Sequence, residues 1–315
     1  SSPGDWIELK NTTSASINIG NWFLSDDAED LTKYQIKAGT VLAPGAYLVL
    51  SADANFGTAS SDTGKLVDFA FSEYGETAYL TSSDGTVITG YREKEDFDAS
   101  ENGIAFGRYQ KSTGSYNFVA MSSNTPGAAN AYPKVGPVVI NEIMYNPPDL
   151  NGQNSEYIEL RNTTGSRVNL YDVNGVGWEF SDGIDYVFPS DANIPANGYL
   201  LVVKTTPAYF RTRYIVPSNV MVFGPYGGNL SNGGEKLELV KPSDTDELGQ
   251  TVYTRVDRVV YSDGSHPEDC PEGVDLWPAQ ADGKGKSLSR KVVTAYGNDP
   301  NNWQASNPTP GTANP

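Results

Sequence analysis

The chain carries one unit twice, and that repetition bounds every other reading of it. Trp6-Ile7-Glu8-Leu9, followed by Asn11-Thr12-Thr13, returns as Tyr157-Ile158-Glu159-Leu160, followed by Asn162-Thr163-Thr164. Further matches keep the order. Trp22-Phe23-Leu24-Ser25-Asp26 answers Trp178-Glu179-Phe180-Ser181-Asp182, Pro44-Gly45-Ala46-Tyr47-Leu48-Val49 answers Ala196-Asn197-Gly198-Tyr199-Leu200-Leu201, and Gly75-Glu76 answers Gly234-Glu235. Thr125-Pro126-Gly127-Ala128-Ala129-Asn130 closes the first copy and Thr309-Pro310-Gly311-Thr312-Ala313-Asn314 the second. The spacing is mostly wider in the second copy, as expected of longer surface loops, which cost little free energy.

A chain of 315 residues fits two domains at about 150 residues each. Residues 131–137 hold two prolines and a glycine, a short semi-rigid linker, so the domains are assigned to residues 1–131 and 136–315. The second copy opens on the strand-like run Val138-Val139-Ile140-Asn141-Glu142-Ile143-Met144-Tyr145. The first begins without such a run, so its opening strand is expected to be missing or to come from another segment.

Short runs rich in β-branched and aromatic residues dominate, at 46–50, 77–80, 86–89, 199–203, 236–240 and 255–261. Ser83-Asp84-Gly85 predicts a hairpin, because Asp-Gly accepts the positive φ of a tight turn. The one good helix signal is 207–214, with Thr206 as N-cap and Pro207 at the first helical position. Many strands, frequent turns and few helices predict an all-β chain of two antiparallel β-sandwiches.

The motif order resembles the lamin tail domain family. The matching text is Ile140–Met144, Tyr157–Asn162, Trp178 through Ser181-Asp182-Gly183, Ile194–Leu200, Leu230–Glu235, Val256-Asp257, Ser287–Arg290 and Thr309-Pro310-Gly311. The first copy repeats the series through 72–76, Phe106-Gly107-Arg108 and its own Thr-Pro-Gly ending. The resemblance implies two immunoglobulin-like sandwiches in tandem without catalysis of their own. In nuclear lamins such domains bind proteins and nucleic acid; tandem bacterial versions are accessory modules of secreted and surface proteins, often beside hydrolase or kinase-like domains.

Composition narrows the partner. With 39 acidic and 22 basic residues the net charge is −17, and no basic run supplies the footprint that displaces counterions from phosphates, so nucleic acid is excluded as an expected partner. No apolar stretch approaches the roughly 20 residues of a membrane helix, so no membrane insertion is expected. The acidic, Tyr-rich composition with one cysteine fits an extracellular or cell-surface protein.

Catalytic signals are weak. His266 lies four residues from Cys270 in a Pro-bounded loop, whereas a Cys/His dyad joins residues distant in sequence. Glu8 and Glu159 fall on separate sandwiches, so neither has an evident carboxylate partner for glycoside hydrolysis, and no enzyme is expected. Calcium is the most credible ion, because hard oxygen donors spaced along loops wrap large cations. Its candidate ligands are Asp26, Asp27 and Asp30; Asp149, Asn151 and Glu156; and Asp182 with Asp185.

Trp22 and Trp178 recur in both copies and read as core, whereas Trp277 and Trp303 occur only in Gly/Pro/Asn-rich stretches of the second copy. Those two, with Tyr226 behind them, form the expected exposed platform for a sugar or other ligand. Asn11, Asn162 and Asn229 also fit the glycosylation acceptor pattern. The sequence therefore predicts a non-catalytic binding or attachment pair contacting an extracellular polysaccharide or protein. The alternative is a structural subunit that self-associates through strand exchange at the first domain.

Overall fold

The computed structural model describes residues 4–148, 154–270 and 273–315. The chain divides into two compact units, Ser1–Tyr109 with Phe118–Tyr132, and Gln110–Asn117 with Pro133–Pro315. The first copy supplies β1 (Trp6–Lys10), β2 (Ile17–Asn18), β3 (Phe23–Ser25), β4 (Tyr34–Gln35), β5 (Val41–Leu42), β6 (Tyr47–Ser51), β7 (Gly75–Ser83), β8 (Ile88–Asp98), β9 (Phe106–Gln110) and β10 (Tyr116–Ala120). The second supplies β11 (Val138–Met144), β12 (Tyr157–Asn162), β13 (Val168–Asn169), β14 (Glu179–Asp182), β15 (Tyr186–Val187), β16 (Asn193–Ile194), β17 (Tyr199–Val203), α1 (Pro207–Tyr214), β18 (Met221–Phe223), β19 (Gly234–Thr245), β20 (Thr251–Ser262), β21 (Ser287–Arg290) and β22 (Trp303–Ser306).

In the second unit two sheets face each other, a six-stranded one in the order β18-β17-β12-β11-β21-β22 and a four-stranded one in the order β15-β14-β19-β20. Strand alternation sends Ile158 and Leu160 of β12, and Leu200 and Val202 of β17, into the core with Phe180, Leu237, Leu239 and Val259. The other face of the large sheet is covered as well. Met144, Tyr157, Leu201 and Val203 pack there with Phe210 of α1, which explains why β17 reads as the unbroken apolar run Tyr-Leu-Leu-Val-Val. Helix α1 begins where the sequence predicts, with the Thr206 hydroxyl accepting from the Tyr209 N–H at 3.4 Å.

The first unit repeats the four-stranded sheet as β4-β3-β7-β8, and its core gathers Leu24, Tyr34, Ile36, Leu50, Phe56 and Phe69. Opposite that sheet, β1 pairs with β6 alone and β9 with β10 alone. No strand among the described residues of this unit takes the place that β11 holds between β12 and β21. The predicted hairpin is present: Gly85 has φ +99°, and the Asp84 carboxylate accepts from the N–H groups of Thr86 and Val87.

The recurring Gly-Glu step is fixed by backbone geometry. Gly75 has φ +92° and a Cβ there would stand 2.7 Å from the Phe97 carbonyl oxygen; Gly234 has φ +119° and a Cβ there would stand 2.5 Å from the Tyr261 oxygen. Each following glutamate accepts the N–H of the serine that opens the turn, Ser72 for Glu76 and Ser231 for Glu235. Gly75→Ala and Gly234→Ala should each lower stability by roughly 1–3 kcal/mol in urea unfolding, since the new side chain meets both a disfavoured φ and a carbonyl. Gly90→Ala, which meets open space in β8, should change it by no more than about 1 kcal/mol.

Candidate functional site

The aromatic platform expected from sequence is not exposed. Trp303 is 2% exposed, and its indole N–H donates to the Gly297 carbonyl at 2.7 Å. Trp277 is half-buried beside it, the ring centroids 6.0 Å apart, and both cover the core of the second unit. Tyr226 is 3% exposed, and its hydroxyl donates to Glu156 Oε2 at 2.8 Å. For Trp303 and Tyr226 the physical reason is shared: a Gly/Pro-rich loop lets a backbone carbonyl or a carboxylate satisfy the polar tip, so the large apolar body can seal the sandwich edge.

The acidic candidates are also engaged within the chain. Lys33 Nζ lies 2.6 Å from Asp26 and 3.6 Å from Asp27, while Asp27 also accepts from the Glu29 N–H at 2.9 Å. Asp30 accepts from the hydroxyl and N–H of Thr32, which hold its carboxyl below the usual range. In the second unit Lys236 Nζ lies 2.7 Å from Asp182, and the Asp185 backbone pairs with Gly227. Glu156 is buried and accepts from Tyr226, the Leu230 N–H and Asn154. Asp149 and Asn151 lie outside the described residues. Among the described residues no three His, Cys, Asp or Glu side chains converge as a metal centre; lysines provide the counter-charge to Asp26 and Asp182.

The Cys270 thiol faces the backbone carbonyl of His266 at 3.7 Å. The His266 ring lies 3.7 Å from Asp263 and 3.5 Å from Glu268. Two of the candidate glycosylation asparagines are internal braces. Asn162 is fully buried, donates to the carbonyls of Ser166, Ile194 and Pro195, and accepts from Thr164; Asn11 makes the matching bonds to Ala15, Leu42 and Thr13. Asn-Thr-Thr thus recurs because it ties a strand end to the next loop.

What the fold assembles, and single residues did not reveal, is a sealed polar cluster on the outer face of the six-stranded sheet. Glu142 of β11 stands opposite Glu159 of β12, and both carboxylates are fully buried. A register shift between Ile140 and Glu142 brings the two acids face to face. Glu142 accepts from the Ser287 hydroxyl and from the Thr309 N–H at 3.0 Å. Glu159 accepts from Asn141 at 2.7 Å and from the Gly311 N–H at 2.6 Å. The closing Thr-Pro-Gly turn is therefore clasped by both acids. Burial, then the mutual repulsion, pushes Glu159 well above the ordinary carboxylate range; burial likewise raises Glu142. The first unit keeps one half of this clasp, with the Gly127 N–H donating to Glu8. The legible signal was the coupled recurrence of a strand glutamate and a terminal Thr-Pro-Gly.

An open groove of about 550 Å³ lies between residues 169–176 and the β19–β20 hairpin. Its one lining acid on the loop side, Asp172, accepts from the N–H groups of Asn174 and Val176 and so shapes that loop.

A family model described as Lamin Tail Domain matches residues 1–95 and 132–262. No curated protein and no solved structure matches the chain.

Two measurements check these assignments. Trp303→Ala should cost the second unit about 3–5 kcal/mol in denaturant unfolding, the penalty of emptying a core position, and Trp277→Ala distinctly less. Because a raised carboxylate pKa means the folded state holds more protons than the unfolded one, stability from Glu142 and Glu159 falls as pH rises from near 4.5. Unfolding free energies compared at about pH 5 and about pH 7.5 should show a smaller decline in Glu159→Gln than in the parent chain. An identical decline would mean that the pair titrates as ordinary surface acids.

Proposed function

Because the chain belongs to the lamin tail domain family, we propose that its two units form a non-catalytic attachment module of a larger secreted or cell-surface protein, holding it to an extracellular polymer or protein. The family is immunoglobulin-like and non-catalytic. One observation carries the reading. Glu142 and Glu159, two carboxylates buried opposite one another, are sealed from solvent and hold the terminal turn, so their chemistry goes into joining segments. The surplus of acidic over basic residues suits partners that are neutral or basic.

A second reading, self-assembly by strand exchange, draws on β1, which among the described residues pairs with β6 alone, since strand edges offer a row of backbone donors and acceptors. The deciding experiment is depletion of the full chain from solution by insoluble polysaccharides and cell-wall fractions, with calcium and with chelator. Attachment predicts saturable loss to one fraction, and chelator sensitivity would implicate the aspartate loops. Breakdown of a fraction by the chain would replace attachment with catalysis. Indifference to every fraction, together with concentration-dependent self-association, would favour strand exchange.

A further inference from the structure

Two segments that are longer in the second copy than in the first meet at one corner of the fold. The same two hydrogen bonds frame that corner in each unit. The Trp22 N–H donates to the Ile19 carbonyl at 3.1 Å and the Trp178 N–H to the Leu170 carbonyl at 2.9 Å, and each tryptophan carbonyl accepts at 2.8 Å, from Ile36 and from Phe188. Between these anchors the first unit has two residues, Gly20-Asn21, and the second has seven, 171–177. The neighbouring hairpin is extended too, with twelve residues in β19 where β7 has nine. In the first unit the corner is shut: a Cβ at Gly85 of the hairpin turn would stand 3.3 Å from the Asn21 amide nitrogen. In the second the longer loop and the longer hairpin stand apart, and the groove of about 550 Å³ lies between them.

Both walls hold themselves in place. Asp172 accepts from the N–H groups of Asn174 and Val176 at 2.9 and 2.8 Å, and its own N–H donates to the Val176 carbonyl at 2.9 Å. On the other wall the β19–β20 ladder runs out to Thr245 opposite Thr251, and Asp246 closes the turn by accepting from the N–H groups of Leu248 and Gln250. The main chain of the walls is thus largely spent, and recognition falls to side chains. Asn169, Tyr171, Thr245 and Thr251 line the groove, and their side chains make no hydrogen bond with the described residues. Asn169 shows the change most directly, since its counterpart Asn18 spends its oxygen on the Gly20 N–H at 2.9 Å. Among the described lining residues there is no Lys, Arg or His, whereas Asp172 and Asp244 are both present, a charge balance that disfavours anions.

We propose that this groove binds a neutral polysaccharide, a short segment of whose chain lies between the 171–177 loop and the β19–β20 hairpin. This deepens the attachment reading and rests on it, adding the chemistry of the polymer and the unit that holds it. Tyr171 stacks on the C–H face of a sugar ring, and Asn169, Thr245 and Thr251 exchange hydrogen bonds with its hydroxyls. The occupant follows from the lining. Hydroxyls, an amide and one aromatic face, without a basic group, suit a ligand that is uncharged and rich in hydroxyls. An extended peptide would want main-chain donors and acceptors, which these walls have already paired. The volume falls within the roughly 300–1,000 Å³ of small-ligand sites, and the open ends let a polymer continue beyond it. Walls that are already ordered spare the ligand the cost of ordering them.

The test is depletion of the full chain by cellulose, chitin, mannan and curdlan, all neutral, and by an anionic pectate gel, followed by calorimetric titration with soluble oligosaccharides of the neutral polymer that binds. Saturable loss to a neutral polymer is expected, undiminished by chelator, with one site per chain in solution because the corner of the first unit is shut. Tyr171→Ala should weaken binding about tenfold, the loss of an aromatic anchor, and Asn169→Ala about fivefold, the loss of a hydrogen bond. Thr245→Arg, at an exposed position, fills the groove and should abolish binding with the urea midpoint unchanged, so the test stands even where Tyr171→Ala folds poorly. Two equal sites per chain would place recognition on features common to both copies and overturn the proposal, as would binding to pectate alone or loss of binding on chelation. Saturable polymer binding unaffected by Thr245→Arg would leave the attachment reading intact and remove only the groove. Binding to a cell-wall protein fraction and to no neutral polysaccharide would overturn the polysaccharide as occupant, and indifference to every fraction would defeat attachment itself.

Discussion

The second unit depends on how β11 is seated. It lies in the middle of the larger sheet, hydrogen-bonded by β12 on one side and β21 on the other, with apolar side chains below it and a polar cluster above. A strand in that place fixes the separation of its neighbours, and so the width of the core. The Arg290–Asp257 pair closes the arrangement by bonding both backbone groups of Ile140 while remaining almost wholly buried. Two charges removed from water are tolerated because each is paired and each spends a further bond on the main chain. Losing either partner would strand a charge in the interior.

The polar cluster above β11 follows a different balance. Two carboxylates opposite one another in a dry site repel, and burial makes ionisation costly for both. They persist because the closing turn offers backbone N–H groups that need acceptors, and because Asn141 and Ser287 supply further donors. The result ties the last residues of the chain to the first strand of the unit, a long-range closure made by hydrogen bonds in a chain with one cysteine. Specificity of register, more than net stability, is the gain such a network offers.

The two units are thus variations on one plan with different solvation. In the first, the Arg108–Glu93 pair is partly exposed, the clasp glutamate Glu8 is half-buried, and among the described residues β1 pairs with β6 alone. Exposed pairs of this kind contribute little to stability, whereas the buried Arg290–Asp257 pair is held by its bonds to the Ile140 main chain.

The repeat, the all-β class, the hairpin at Asp84-Gly85 and the capped helix at Thr206-Pro207 were legible in the sequence, because they rest on local rules: side-chain periodicity, positive φ at glycine, and a cap followed by proline. The family was legible too, since eight motifs in order constrain a fold more than any one of them. The fates of Trp303, Tyr226 and Glu156 were not. Gly- and Pro-rich surroundings read as exposed loop, yet the loops fold back so that each polar tip meets an internal partner. Nor did the sequence reveal that Glu142 and Glu159 face one another, since that pairing is set by a register shift between strands and by a turn that lies far along the chain. Local chemistry determined which segments become strands; only the packed sheets decided which carboxylates and aromatics would leave water.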